Sequence, residues 1–120
     1  MKEPEYLIGD ILNSIEKIDQ NLPSSFKIFE KDEILQVFFK HHLQIMGEAS
    51  SKLPKDFVNE HSMIDWVRMI GMRNVLVHNY SNIDLDILWR TVQTDLPKLK
   101  KQLIELMTNL TRRDTETFER

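Results

Sequence analysis

Cysteine is absent from this 120-residue chain, and long apolar runs are absent as well. The lack of thiols excludes disulfide frameworks, cysteine nucleophiles and zinc sites that need thiolate ligands. Because the apolar runs are only a few residues long, we expect no transmembrane helix. The charged start of the chain, MKEPE, does not resemble a signal peptide. We therefore expect a cytoplasmic protein that does not insert into membranes.

The chain also has little excess of one charge and few residues that interrupt helices. The formal net charge of -3 excludes a nucleic-acid binder with a wholly cationic surface, but it allows a local basic cleft. Only three glycines and four prolines occur, and alternation of apolar and polar residues with a period of two is hard to find. This combination predicts a chain that is helical throughout.

Apolar residues recur at steps of three and four along four segments, each of which predicts an amphipathic helix. These predicted helices cover about residues 4–21, 32–53, 64–79 and 83–110. Phe26 and Phe29 lie in an irregular segment before the second helix, and Pro54 begins a short turn or helix after it. At Pro97 we expect the last segment to kink or restart, with Asp95 as a helix cap.

Four main helices with short connections predict an all-α fold, an antiparallel four-helix bundle with an extra short helix. The length suits one hydrophobic core, so we expect a single domain over residues 1–111. Residues 112–120 show no periodic apolar face and are predicted to form a frayed, charged C-terminal tail.

The sequence GMRNVLVHNY at 71–80 departs from the apolar pattern of the third predicted helix. Met63, Val67 and Ile70 begin a stripe that we expect to face the core. Asn74 continues it, followed by Val77 with His78. Burying an unpaired amide or imidazole costs a few kcal/mol. We therefore expect these two side chains to bond to each other across one turn or to face a solvated cleft.

Arg73, His78 and Tyr80 form the pattern Arg-x4-His-x-Tyr, in which Asn74 directly follows the arginine. Gly71 precedes this pattern and is predicted to let another helix approach closely. The pattern resembles the signature of HEPN domains, which are helical RNases and nucleotide-associated modules of prokaryotic conflict systems. We therefore expect the helical bundle to be HEPN-like.

A wider resemblance, covering nearly the full chain, is to HepT, the toxin partner of the minimal nucleotidyltransferase (MNT) antitoxin. It is carried by the sequences IMGEA at 45–49, GMRN at 71–74, DLDILW at 84–89 and LPKL at 96–99. The resemblance implies a metal-independent endoribonuclease without a cofactor, which acts on RNA as a homodimer with the two motifs meeting in a cleft between subunits.

The same resemblance implies a role for each motif residue. His78 would be the acid-base residue that helps the ribose 2′-OH attack the adjacent phosphate, and Arg73 would stabilise the charge of the phosphorane. Asn74 would orient the imidazole or the phosphate, and Tyr80 would line the site. In some HepT relatives this tyrosine accepts AMP from the MNT partner, which makes Tyr80 the candidate modification site.

Two residues of the second predicted helix leave alternatives open. Glu48 could bond to the motif as a supporting residue, or it could be a carboxylate paired for structure inside the bundle. His42 falls on an apolar stripe beside His41 and is predicted to be a core or interface histidine rather than a catalytic one.

Two functions from different classes follow from these patterns. The first is an RNase toxin of the HepT type that an MNT antitoxin silences. The alternative is a non-catalytic nucleotide-binding or antitoxin-docking module that keeps the motif as an AMP acceptor on Tyr80. A purely structural bundle that dimerises through an apolar seam is a weaker third interpretation.

Overall fold

The computed structural model describes the backbone of residues 3–119 and the side chains of residues 3–113. Within this part of the chain every regular element is helical. The all-α, HEPN-like bundle that the sequence predicts is confirmed. Its helices are α1 (Glu3–Gln20), α2 (Phe26–Lys31), α3 (Glu33–Ser51), α4 (Lys55–Glu60), α5 (Trp66–His78), α6 (Leu85–Arg90) and α7 (Leu96–Glu119).

The central helix α3 packs against α1 on one side and against α5 on the other. The apolar stripe of α1 is fully buried and supplies much of the core, with Ile8, Ile11, Ile15 and Ile18 all inaccessible to solvent. Helix α7 packs antiparallel to α1, because Lys100 contacts Glu16 and Asp19 while Met107 lies close to Gly9. Among the described residues, none of the helices is both long and apolar enough to cross a membrane.

Short polar side chains set the starts of several helices. The Ser25 hydroxyl accepts a hydrogen bond from the Ile28 amide at the start of α2, where we predicted only an irregular segment. Asp32 ends α2 and also begins α3, because its carboxylate accepts from the Leu35 amide at 3.0 Å. Such caps satisfy donors that have no partner within the helix. The bundle therefore has two short extra helices, α2 and α4, rather than the one that we predicted.

The chain stays helical across Pro97, so the predicted restart with Asp95 as a cap is wrong. One π-helical turn, Thr91–Asp95, joins α6 to α7, and the Leu96 amide donates to the Thr91 carbonyl. A proline cannot donate to the carbonyl four residues earlier, and its ring crowds that carbonyl. The wider π turn accommodates the proline without ending the helix. Asp95 instead pairs with Arg68 of α5 at 2.7 Å.

The helix α7 continues to Glu119, past the point where we predicted the tail to begin.

Nearer the start of α7, Lys100 Nζ donates to Asp19 Oδ2 at 2.8 Å and to Glu16 Oε2 at 3.0 Å. Both bonds raise the pKa of the Lys100 ammonium, and the bond to Asp19 has the larger effect. They tie the C-terminal helix to α1, so this lysine is already occupied by carboxylates.

His42 is buried between α1 and α3, as we predicted for a core histidine. Its Nδ1 shares a hydrogen bond with Ser14 Oγ at 3.1 Å, and its ring stacks edge-on against Phe38. Burial lowers the pKa of His42 below the ordinary 6.5, and positive charge on His41 and Lys17 lowers it further. The folded protein therefore holds this imidazole in its neutral form.

We expect the free energy of unfolding to decrease as the pH is lowered below 6.5, because the unfolded chain then takes up a proton that folded His42 resists. Above that pH the ring is neutral in both states and adds no pH dependence. Urea titrations at about pH 7.5 and about pH 5 measure the difference. His42→Gln is expected to remove this part of the pH dependence, whereas His61→Gln at the C-cap of α4 should retain it. An unchanged dependence in His42→Gln would contradict the assignment.

Candidate functional site

Helix α5 carries most of the motif, and its buried face differs from our prediction. Trp66, Met69 and Leu76 face the core, whereas Val67 is 80% exposed and Asn74 and His78 are also exposed. The predicted stripe therefore exists but faces outward. Helical spacing alone cannot distinguish the two sides of a helix when apolar residues lie on both.

The outward side of α5 therefore presents both apolar and polar groups to solvent. We call it the motif face; by helical spacing it comprises Val67, Asn74, Val77 and His78. Met63, the first member of the predicted inward stripe, lies just before α5 and is 80% exposed as well, whereas Ile70 is half-buried. Asn74 and His78 are exposed and share no side-chain hydrogen bond, and in a single chain they lie on an open face rather than in the solvated cleft that was our other expectation.

Arg73 lies at the edge of the motif face, in the seam between α5 and α3. Its Nη1 donates a hydrogen bond to Asn74 Oδ1 at 3.0 Å. Its Nε lies 3.8 Å from Glu48 Oε1 and has no hydrogen-bond partner among the described residues. A movement of less than about one ångström would make the Glu48 contact a charge-assisted hydrogen bond. Glu48 is thus placed to orient the guanidinium, and that role stays a prediction.

His78 is the last residue of α5, and its side chain is exposed. It makes no hydrogen bond or ion pair with any residue whose side chain the structure describes, and none joins it to Arg73. Both ring nitrogens are therefore available to a ligand or to a second protein chain. An imidazole can both accept and donate a proton, which suits acid-base chemistry.

Tyr80 follows α5 in a single 3-10 turn, Tyr80–Asn82, and is partly exposed. Lys40 of α3 contacts it twice, because its Nζ donates to the Tyr80 carbonyl at 3.0 Å and lies 4.8 Å from the centre of the ring. Our sequence reasoning missed Lys40. No feature of the sequence alone indicates it, because its contacts are with a residue 40 positions later in the chain.

Gly47 is the glycine that permits the close approach of α3 and α5, so our assignment of that role to Gly71 is wrong. A β-carbon added at Gly47 would collide with the Arg73 side chain and would lie 2.7 Å from the Met69 carbonyl oxygen. A β-carbon added at Gly71 would meet nothing within 4 Å. Gly71 lies on the exposed side of α5, away from α3.

A cavity of about 380 Å³ lies on the other side of α5, between α3, α5 and the π turn. Four methionines, among them Met46, Met69 and Met72, line it together with polar residues of α5, the π turn and the start of α7. None of the four motif residues lines it. The motif of a single chain therefore lies on an open surface and not in this cavity.

The motif groups suit the recognition of a phosphate rather than of a metal ion. A guanidinium, an amide and a phenol can donate hydrogen bonds to phosphate oxygens, and the exposed imidazole can accept or donate a proton. Among the residues whose side chains are described, no group of three or more His, Asp or Glu residues could hold a metal ion. Trp66 is buried in the core and the partly buried Trp89 packs against it, so neither lies at the motif.

Comparison with known proteins bears on this site. The family model described as Ribonuclease HepT-like matches residues 11–106, which include every motif residue. A protein of Caldanaerobacter subterraneus subsp. tengcongensis, named as a candidate RNase, is 36% identical over 108 residues, covering 89% of this chain and 96% of its own. A protein of Thermococcus cleftensis named "Probable ribonuclease HepT" is 38% identical over 100 residues, covering 82% of this chain and 91% of its own. No solved structure gives a significant match.

Proposed function

Because the chain belongs to the HepT-like ribonuclease family, we propose that it is a metal-independent endoribonuclease and the toxin of a HepT/MNT-type toxin-antitoxin pair. The observation that carries the proposal is the motif itself. Arg73, Asn74 and His78 lie at or beside one solvent-facing side of α5, with Tyr80 in the turn that follows. The proposed substrate is RNA, either tRNA or mRNA.

The proposed reaction is an internal transphosphorylation. His78 removes the proton from a ribose 2′-OH, whose oxygen attacks the adjacent phosphorus. The bond from phosphorus to the 5′-oxygen of the next nucleotide breaks, and that oxygen takes up a proton. Arg73 stabilises the additional negative charge on the phosphorane through charge-assisted hydrogen bonds, and Asn74 fixes the direction of the guanidinium.

This reaction gains from two histidines, one as base and one as acid, whereas one chain carries a single motif histidine. We propose that a second copy of the chain covers the motif face and forms the cleft. The exposed apolar side chains support this arrangement, since Val67 is 80% exposed beside the motif and Val77 is 45% exposed next to His78. An apolar surface around polar functional groups is typical of a protein interface.

The direct test of the proposed activity is incubation of the purified protein with tRNA and with mRNA in excess EDTA. We expect discrete cleavage fragments that end in a cyclic phosphate or its hydrolysis product. Absence of any cleavage by the wild-type protein would contradict the proposal, and cleavage that requires added metal would contradict the mechanism.

The proposed interface predicts that Val77→Glu weakens self-association. An unpaired carboxylate buried between two subunits should raise the dimer dissociation constant about tenfold or more, and cleavage should fall at protein concentrations near that constant. Analytical ultracentrifugation over a concentration series measures the change. Ile104→Glu on α7 is the matched control, because Ile104 is 47% exposed and Val77 is 45% exposed. Equal dissociation of both variants would place the interface elsewhere.

The second candidate function is a non-catalytic module whose Tyr80 accepts AMP from an MNT partner. The observation that favours it is the partial exposure of Tyr80 in the turn after α5. Intact-mass spectrometry after co-expression with a nucleotidyltransferase from the same locus should then show an adenylyl increment that Tyr80→Phe removes. Modification of a chain that never cleaves RNA would favour this function over the first.

A further inference from the structure

Lys40 is a buried cation beside the motif that takes no part in the proposed reaction. The residue is 8% exposed, although lysine is rarely buried without a partner. It forms no ion pair with any residue that the structure describes. Its partners are instead the carbonyl oxygen of Tyr80 at 3.0 Å and the face of the Tyr80 ring, whose centre is 4.8 Å away.

Both contacts connect α3 to a residue 40 positions later in the chain. Local bonds also shape the turn at Tyr80, since the Asn82 amide donates to the Asn79 carbonyl at 3.0 Å. The bond from Lys40, in contrast, fixes the position of this turn relative to the rest of the bundle. The carbonyl contact constrains the backbone of Tyr80, and the cation against the ring face constrains its side-chain rotation.

A second contact of α3, this time with α5 itself, lies two turns away along α3. Arg73 packs against Gly47 of α3, so that α3 meets both outer members of the motif at the same spacing of seven residues. Contacts with the single helix α3 thus set the positions of both the Arg73 guanidinium and the Tyr80 phenol. Residues that do not react themselves can in this way hold functional side chains within a fraction of an ångström of the geometry that the reaction needs.

We propose that Lys40 is a positioning residue that holds Tyr80 in place relative to Arg73 and His78, an inference that rests on the proposed ribonuclease function. Lys40 acts through Tyr80 rather than on the RNA, because its ammonium is engaged by the Tyr80 carbonyl and ring and the residue as a whole is only 8% exposed. Loss of Lys40 leaves Tyr80 present but free to move, so its hydroxyl no longer lies at a constant place in the cleft.

The first measurement concerns position and needs no catalytic activity. The chain has two tyrosines, Tyr6 and Tyr80, so incorporation of 3-fluorotyrosine gives two fluorine resonances. Lys40→Met is expected to shift and broaden the Tyr80 resonance and to leave the Tyr6 resonance unchanged. Lys40→Arg, which keeps a cationic donor, should stay closer to the wild type. An unchanged Tyr80 resonance in Lys40→Met would overturn the proposal.

The second measurement concerns catalysis. Lys40→Met is expected to lower kcat for RNA cleavage by about 10- to 100-fold with little change in KM, because a misplaced site residue weakens the transition state more than the ground state. In a Tyr80→Phe background the same substitution should have almost no further effect. An equal loss in both backgrounds would show that Lys40 does not act through the tyrosine. Lys27→Met, at an exposed lysine of α2, is the control.

The melting temperature distinguishes a positioning role of Lys40 from a merely structural one. Replacing a buried cation with an apolar side chain of similar shape should leave the melting temperature unchanged or raised. If Lys40→Met fails to fold, Lys40→Gln keeps a donor without the charge and carries the same two measurements. Failure of wild-type protein to cleave RNA would refute the proposed function and leave the fluorine result standing. Cleavage by Lys40→Met at the wild-type rate would refute the role of Lys40 alone.

Discussion

His78→Ala is expected to lower the rate of RNA cleavage by about 10²- to 10⁴-fold, the range typical of a lost general acid or base. The side chain is exposed and forms no hydrogen bond or ion pair with any residue whose side chain is described, so the stability of the fold should change little. Single-turnover cleavage of a short fluorescent RNA and thermal unfolding of the same preparation measure both quantities. Loss of activity at unchanged stability is the expected combination.

A matched control is available within the chain. His61→Ala removes a histidine at the C-cap of α4, away from the motif, and should retain wild-type cleavage. Mixed dimers of wild-type and His78→Ala subunits add a sharper test. If one histidine serves as base and the other as acid, a mixed dimer should be nearly as inactive as the homodimeric variant. Full activity of His78→Ala would remove the proposed mechanism.

Gly47→Ala and Gly71→Ala are expected to change stability in opposite directions. At Gly47 the added methyl group would overlap Arg73 and crowd the Met69 carbonyl at 2.7 Å, so α3 and α5 must separate. Overpacking of this kind lowers the free energy of unfolding by about 1–3 kcal/mol. At Gly71 nothing lies within 4 Å of the added atom. Helix propensity then raises the free energy of unfolding by about 0.5–1 kcal/mol.

Urea denaturation of the two variants measures this difference directly. Gly47→Ala is also expected to lower RNA cleavage more than its stability loss explains, because the shift displaces Arg73 relative to Glu48 and Asn74. Gly71→Ala is the control, because it makes the same glycine-to-alanine replacement where no neighbouring atom is crowded. Equal stability of the two variants would mean that α3 and α5 do not meet at Gly47.

The sequence was sufficient to determine the helical class and the approximate position of the main helices, apart from the end of α7. The buried isoleucines of α1 follow from their spacing, because a stripe at steps of three and four has only one face to bury. Asn74 and His78 could likewise be singled out, since they interrupt an apolar pattern, whereas Arg73 and Tyr80 became candidates through the resemblance of Arg-x4-His-x-Tyr to the HEPN signature. The roles of these residues still depend on the experiments above.

Only the tertiary structure decided which side of α5 faces the core. Apolar residues occur on both sides of this helix, with Trp66 and Met69 buried and Val67 exposed, and spacing does not distinguish a core face from an interface face. The same limit explains Gly47 and Lys40, whose importance depends on residues that are 26 and 40 positions away in sequence. Contacts between helices depend on their register, and register arises from the packing of the whole bundle rather than from any one segment.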